Sequence, residues 1–244
     1  MNLQDKVCVI SQSMYFPWCG LLNQILLADT FIHYNDVQFS RGFFNRVQVK
    51  TSNGIKWLTV PLKKHRQKQL IDEVKICYEQ DWVTKHRQTL VNSFRDAPFA
   101  QDAIDIFDRV TSHEYDSIGE LSLASIEQVS KYLNIETDFS NSRDFHAGGE
   151  SSRRLLGLVK EVEGTAYLTG HGAKNYLDHE LFESEGVEVG YMDYQIAQYE
   201  QNYGEFTPYV TCLDAIAHLG KGTKSILESK MINWKEFHER TAKI

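Results

Sequence analysis

Proline is scarce in this chain, 4 residues in 244, and nowhere does it join glycine or serine in a low-complexity linker. No repeat with the period of a solenoid is present either. Hydrophobic residues make up 42% of the chain and aromatics 12%, enough to bury a substantial core, so one domain spanning 1–244 is expected. No apolar run approaches the roughly 20 residues needed to span a bilayer. The start, Met1 to Lys6 and then a short apolar strand, lacks the long hydrophobic stretch and small-residue cleavage site of a secretion signal. No membrane insertion is therefore expected. The four cysteines, Cys8, Cys19, Cys77 and Cys212, have no C-x-x-C spacing, which fits free thiols in a reducing, cytoplasmic setting. The nine histidines show no H-E-x-x-H pair, so no metal site is expected.

The most informative absence is of acid. Between Val37 and Ile71 there is no Asp or Glu, while Arg41, Arg46, Lys50, Lys56, Lys63, Lys64, Arg66 and Lys68 supply eight cations. The rest of the chain holds 18 basic and 33 acidic residues, and the whole carries −7. The net charge argues against non-specific nucleic-acid binding. The segregation points either to an anion-binding face or to a hairpin whose lysines discourage edge-to-edge pairing. Arg41 and Arg46 are the stronger anion-binding candidates, since the Lys63 to Lys68 run reads as a loop.

Periodicity predicts a strand over Lys6 to Ser11, a helix following Pro17, and a strand over Thr30 to Tyr34, that is, a β-α-β unit. The Ser52-Asn53-Gly54 turn predicts a hairpin of Phe44 to Thr51 with Ile55 to Leu62. Ile71 to Tyr78 reads as one more strand. Helical spacing then covers 82–96, 99–111 and 117–133, a helical insertion of roughly 82–134. Further on, a helix capped by Ser151-Ser152 and running through Glu161, a strand over Thr165 to Leu168, a helix over Asn175 to Glu183 and a strand over Val187 to Tyr194 restore the alternation. Helices near Val210 to Leu219 and Trp234 to Ala242 end the chain. The expected fold is α/β, a largely parallel sheet with an N-terminal β-hairpin and a helical insertion.

Four clusters combine glycine, aromatic and polar residues. Gln12 to Gly20 spans a strand-to-helix turn, with Tyr15 and Trp18 as aromatic platforms and Gly20 letting a ligand approach the helix start. In the second, Asp36 and Gln38 follow a strand and Asn45 and Arg46 lie on the next; Asp36 is a candidate general base and Arg46 a phosphate clamp, or the two pair to staple the hairpin. Tyr167 to Leu177 is again strand, turn and helix. There Gly172 frees the backbone, Lys174 stands near a helix start, and the imidazole of His171 could act as acid or base. The fourth, Tyr199 and Tyr203 to Tyr209, offers aromatic faces with Glu205 for a sugar or base, or closes the core. Cys19, at a helix start, could accept an acyl group as a thiolate, although no base can be placed beside it.

These clusters, in this order and together with Trp57-Leu58-Thr59-Val60-Pro61, resemble the WbqC-like family of surface-polysaccharide gene clusters over nearly the whole chain. Ser13 stands where that family usually has Pro, Val47 where Asn is expected, and His171 where Pro is frequent, so His171 is a weaker candidate than Asp36 for a catalytic group shared with the family. The resemblance implies a role in O-antigen or related glycan assembly. It suggests a transferase that moves an acyl or aminoacyl group to the amine of a nucleotide-linked amino sugar. The donor, a thioester or a charged tRNA, would be a co-substrate, with an acyl carrier or aminoacyl-tRNA as partner, and no cofactor would be tightly bound. Nucleotidylyl or adenylyl transfer, and a non-catalytic nucleotide-sugar-binding accessory role, are the alternatives.

Overall fold

A computed structural model describes residues 6–40, 42–227 and 229–241. Six strands form one sheet in the order β5-β2-β1-β6-β7-β8. They are β1 (Val7–Ser11), β2 (Thr30–His33), β5 (Asp138–Asn141), β6 (Ala166–Thr169), β7 (Glu188–Asp193) and β8 (Lys230–Asn233). All neighbours pair in parallel except β7 with β8. The remaining strands, β3 (Arg46–Thr51) and β4 (Gly54–Thr59), make a separate two-stranded antiparallel sheet.

The β1 sequence Val-Cys-Val-Ile explains its central place, because a strand covered on both faces must be apolar on both. Val7 and Val9 enter the core on one side, with α1 (Cys19–Leu27), α3 (Ala100–Val110), α4 (Ile118–Tyr132) and α7 (Cys212–Leu219). Cys8 and Ile10 enter the other, with α5 (Ser151–Glu161), Phe182 of α6 (His179–Ser184) and Phe237 of α8 (Trp234–Thr241). Each fully buried large apolar side chain contributes roughly 1.5–3 kcal/mol. The helix α2 (Trp82–Ser93) packs against β3.

The parallel α/β sheet and the three middle helices agree with the periodicity. The hairpin does not sit at the N-terminus: it follows the β1-α1-β2 unit and forms its own sheet. Ile71 to Tyr78 is not a strand. It makes a 3-10 turn over Ile71–Glu73 and then isolated antiparallel bridges to two different segments, Ile76 to Leu62 and Lys75 to Ser117, so no ladder forms. The helix read over Asn175 to Glu183 divides into a 3-10 turn at His171–Asn175 and α6. Ser151 and Ser152 do not cap α5; its cap residue is Glu150, and the Ser152 hydroxyl accepts from the Asp178 amide. Arg41 and the Ala242 end of the last helix lie outside the described residues. No helix among them is long and apolar enough to cross a membrane.

Candidate functional site

From β1 the chain runs to β2 on one side, while β6 lies on the other. Sheets of this kind bind ligands outside the carboxyl ends of the strands, where strand order reverses. A cleft occupies that place. Its larger lobe, about 970 Å³, is walled by Trp18, Leu21, Phe43, Tyr194, Ile196 and Tyr209. Its smaller lobe, about 590 Å³, is more polar, with Gln12, Tyr34, Ser151, Thr169 and Tyr176. Ser11, Met14, Gln24, Gly170 and Gly172 line both lobes and mark their junction.

The loop after β1 is held from several sides. The Ser13 amide donates to Asn35 Oδ1 (3.0 Å), and Asn35 Nδ2 donates to Ser13 Oγ (2.9 Å), which is 2.8 Å from His33 Nδ1. The Phe16 amide donates to Ser125 Oγ (2.9 Å), and Thr211 Oγ1 donates to the Phe16 carbonyl (2.9 Å). These bonds hold Phe16 at φ 41°, a left-handed conformation costing a side-chain-bearing residue about 1–2 kcal/mol. Tyr15 lines the floor of the larger lobe but is fully buried, its hydroxyl 3.1 Å from His86 Nδ1. Its ring is therefore no free platform. Trp18 takes that role, packed at a tilt against Tyr194 (5.2 Å between centroids) and Tyr209 (5.9 Å).

Gly20 serves Trp18 and not a ligand. A Cβ at position 20 would lie 2.2 Å from the Trp18 indole, so only glycine lets that ring fold over the first turn of α1. Gly172 is the opposite case: nothing lies within 4 Å of where its Cβ would be, and a ligand can approach its backbone.

His171 lines the larger lobe between the two junction glycines. Its Nε2 lies 2.6 Å from the Met192 carbonyl. A carbonyl only accepts, so Nε2 carries the proton and Nδ1 of the neutral ring keeps its lone pair. Asp36 lines neither lobe. It borders a separate pocket of about 260 Å³, with Oδ1 accepting from Ser142 Oγ (2.6 Å) and Oδ2 paired with Arg154. Asp36 thus pairs with Arg154 and not with Arg46. Arg154 in turn lies over the Tyr34 ring, 5.1 Å from its centroid, and steadies a wall of the smaller lobe.

Arg46 lines the larger lobe, its Nε donating to the Gly42 carbonyl (3.0 Å) and its guanidinium 4.5 Å from the Trp57 ring centre. Gln12 lines the smaller lobe. The other candidates lie apart. Gln38 is exposed and bridges to Leu70. Asn45 Nδ2 donates to the Val60 carbonyl (2.9 Å). Lys174 turns to Thr241 of α8. Tyr203 donates to the Asn92 carbonyl (2.8 Å), and Glu205 contributes its backbone carbonyl to buried Lys50. Lys50 also donates to the Gly204 carbonyl (3.0 Å) and Gln201 Oε1 (3.2 Å), tying down the segment that ends at Tyr209.

Cys19 is buried, and burial followed by the nearby Asp214 pushes its thiol up to about 12. It is not a thiolate at neutral pH, so the acyl-accepting role drops out. Among the described residues no three His, Cys, Asp or Glu side chains are grouped to hold a metal.

Sequence reasoning missed Gln24, Tyr194 and Arg154. Gln24 is buried on the apolar stripe of α1 and its Nε2 donates to Tyr194 Oη (2.6 Å). A glutamine between Leu21, Leu22 and Ile25 was the legible signal. Nothing local identifies Arg154, whose partners are 118 and 120 positions away.

The WbqC-like protein family model matches residues 12–226. "Uncharacterized protein Rv1507c" of Mycobacterium tuberculosis (strain ATCC 25618 / H37Rv) is 32% identical over 219 residues, covering 88% of this chain and 94% of that protein. No solved structure matches the chain.

Proposed function

The chain belongs to the WbqC-like protein family, and on that footing we propose that it transfers an acyl or aminoacyl group to the amine of a nucleotide-linked amino sugar in surface-glycan assembly. The supporting observation is the two-lobed cleft with His171 Nδ1 unencumbered beside its junction. Two substrates can enter from opposite sides and meet there, as a transfer between bound partners requires.

The amino sugar occupies the smaller lobe, whose hydroxyl and amide groups suit a polyhydroxylated ring, and the donor carbonyl reaches the junction from the larger lobe. As the amine nitrogen attacks that carbonyl, the N–C bond forms and His171 Nδ1 takes the amine proton. The bond from carbonyl carbon to the donor's sulfur or oxygen then breaks, and His171 returns the proton to the departing atom. The open backbone at Gly172 gives the developing oxyanion a place against the turn. Asp36, with both oxygens engaged, holds Arg154 and Tyr34 in place and leaves the base role to His171.

The test is to incubate purified protein with amino-sugar nucleotides and each donor type, acyl thioesters and charged tRNA, and follow the sugar by mass spectrometry. The expected result is the mass gain of an amide on the sugar. Exchange of pyrophosphate into ATP without acceptor would point to adenylyl transfer, and tight sugar-nucleotide binding without turnover on any donor to an accessory role.

A further inference from the structure

Beyond the cleft mouth the β3–β4 hairpin continues the wall of the larger lobe. Its register pairs Arg46 with Thr59, Gln48 with Trp57 and Lys50 with Ile55. Side chains alternate along a strand, so these six share one face while Val47, Val49 and Leu58 enter the core on the other. Arg46, Val47 and Gln48 line the larger lobe, so the hairpin continues its wall, and Trp57 lies on the face of Arg46 and Gln48.

Two large aromatics stand exposed there side by side. Trp57 is 39% and Phe43 58% exposed, 5.7 Å between ring centroids, with the Arg46 guanidinium over the Trp57 ring. The loop that leaves β4 carries exposed Lys63, Lys64, Arg66 and Lys68. It is secured by His65 against Phe39 (5.2 Å) and Phe39 against Phe44 (6.1 Å). Lys63 is four residues from Thr59, within about 14 Å along the chain. Neither these four cations nor Lys56 and Arg46 pair with a carboxylate among the described residues. Flat rings with a stacked cation, followed in the chain by a run of uncompensated positive charge, suit a base bearing phosphates.

The larger lobe itself discriminates between donors. Its lining is mostly apolar, and among the described residues that line it Arg46, at the hairpin end, is the one permanently charged side chain. A ligand running from the junction to the hairpin must therefore be uncharged along its length and anionic at its outer end, because a buried phosphate without a counter-charge is costly. An RNA 3′ end places phosphates one ribose away from its aminoacyl ester and so inside the apolar lobe. A pantetheine thioester places them beyond a long neutral arm.

We propose that the donor is a nucleotide-tailed pantetheine thioester, its neutral arm crossing the larger lobe and its purine nucleotide resting on the Trp57–Phe43–Arg46 platform with its phosphates among the lysines. This rests on the acyl-transfer reading of the cleft and narrows its donor.

The test is titration of the intact protein with coenzyme A, pantetheine, adenosine 3′,5′-bisphosphate, an RNA oligonucleotide ending in CCA and UDP, followed by calorimetry. Coenzyme A should bind saturably, more weakly as salt rises, and be displaced by the bisphosphate. W57A should weaken coenzyme A about tenfold, the equivalent of about 1.4 kcal/mol and within the range of one base stacked on an aromatic. W57F should restore much of that affinity, and pantetheine should be indifferent to both changes. The proposal is overturned if coenzyme A does not bind, if W57A leaves its affinity unchanged, or if W57A weakens RNA or UDP in its place. Coenzyme A binding of the expected kind without transfer to any amino sugar would sink the reaction and spare the platform. Transfer only from charged RNA or from a carrier protein would do the reverse.

Discussion

The two strand-to-helix turns of the cleft, after β1 and after β6, look alike in sequence and differ in construction. Both bear aromatics, polar residues and a glycine that could admit a ligand. After β1 the turn is buried and bonded on every side, and the space beside Gly20 is filled by Trp18. After β6 the turn is exposed, and Gly172 faces open space. In the proposed reaction the first turn supplies shape and the second chemistry: a strained, tightly bonded loop carries the aromatic wall, and an accessible one carries the histidine and the bare backbone.

Acid should break this contrast most strongly. Two neutral histidines clamp the first turn, His33 against Ser13 and His86 against Tyr15, and burial lowers each to about 4 from 6.5. The folded value lies below the unfolded one, so the unfolded chain takes up protons first. Stability present above pH 6.5 is lost as pH falls towards 4, by at most about 3 kcal/mol for each histidine. Glu127, whose carboxyl pKa is raised by burial, lies 3.8 Å from His33 Nε2. Urea unfolding between pH 7 and 4 should fall along this limb, and H86Q should flatten it; a pH-independent midpoint would show that these histidines do not lock the loop.

Glycine substitutions separate the turns next. G20A forces the Trp18 ring from its place, an overpacking cost of about 1–3 kcal/mol partly offset by up to about 1 kcal/mol of helix propensity. Tryptophan fluorescence should shift to the red as the ring leaves Tyr194 and Tyr209. G172A should change stability by no more than about 0.5 kcal/mol while lowering transfer. Equal melting temperatures for G20A and wild type with unchanged fluorescence would contradict the role given to Gly20.

S125A removes the acceptor of the Phe16 amide and should cost about 1–3 kcal/mol through a buried unpaired donor, read as a lower urea midpoint. Y194F comes last. It breaks the 2.6 Å bond from Gln24 and should cost about 1 kcal/mol or less, with ligand affinity at the junction the more sensitive readout.

Much of this contrast was invisible in the sequence, for a physical reason. Local pattern revealed β1, β2, β6, β7 and the three middle helices, because each buries an apolar face with its own period. The edge strands escaped: β5 reads Asp-Phe-Ser-Asn, and its extended form is imposed by pairing with β2. Gln12, Trp18, Arg46, His171 and Gly172 were identified and do line the cleft. Lys174 and Asp36 were identified and turn elsewhere, because their partners, Thr241 and Arg154, lie 67 and 118 positions away. A side chain's type is local information, whereas the partner that captures it is set by the fold.

The central claim is that His171 Nδ1, at the junction of the lobes, takes the amine proton. Single-turnover transfer by H171A against wild type, with donor and acceptor saturating, tests it most directly. A fall of about 10²–10⁴-fold with both affinities retained is expected; transfer at the wild-type rate would remove His171 from the reaction.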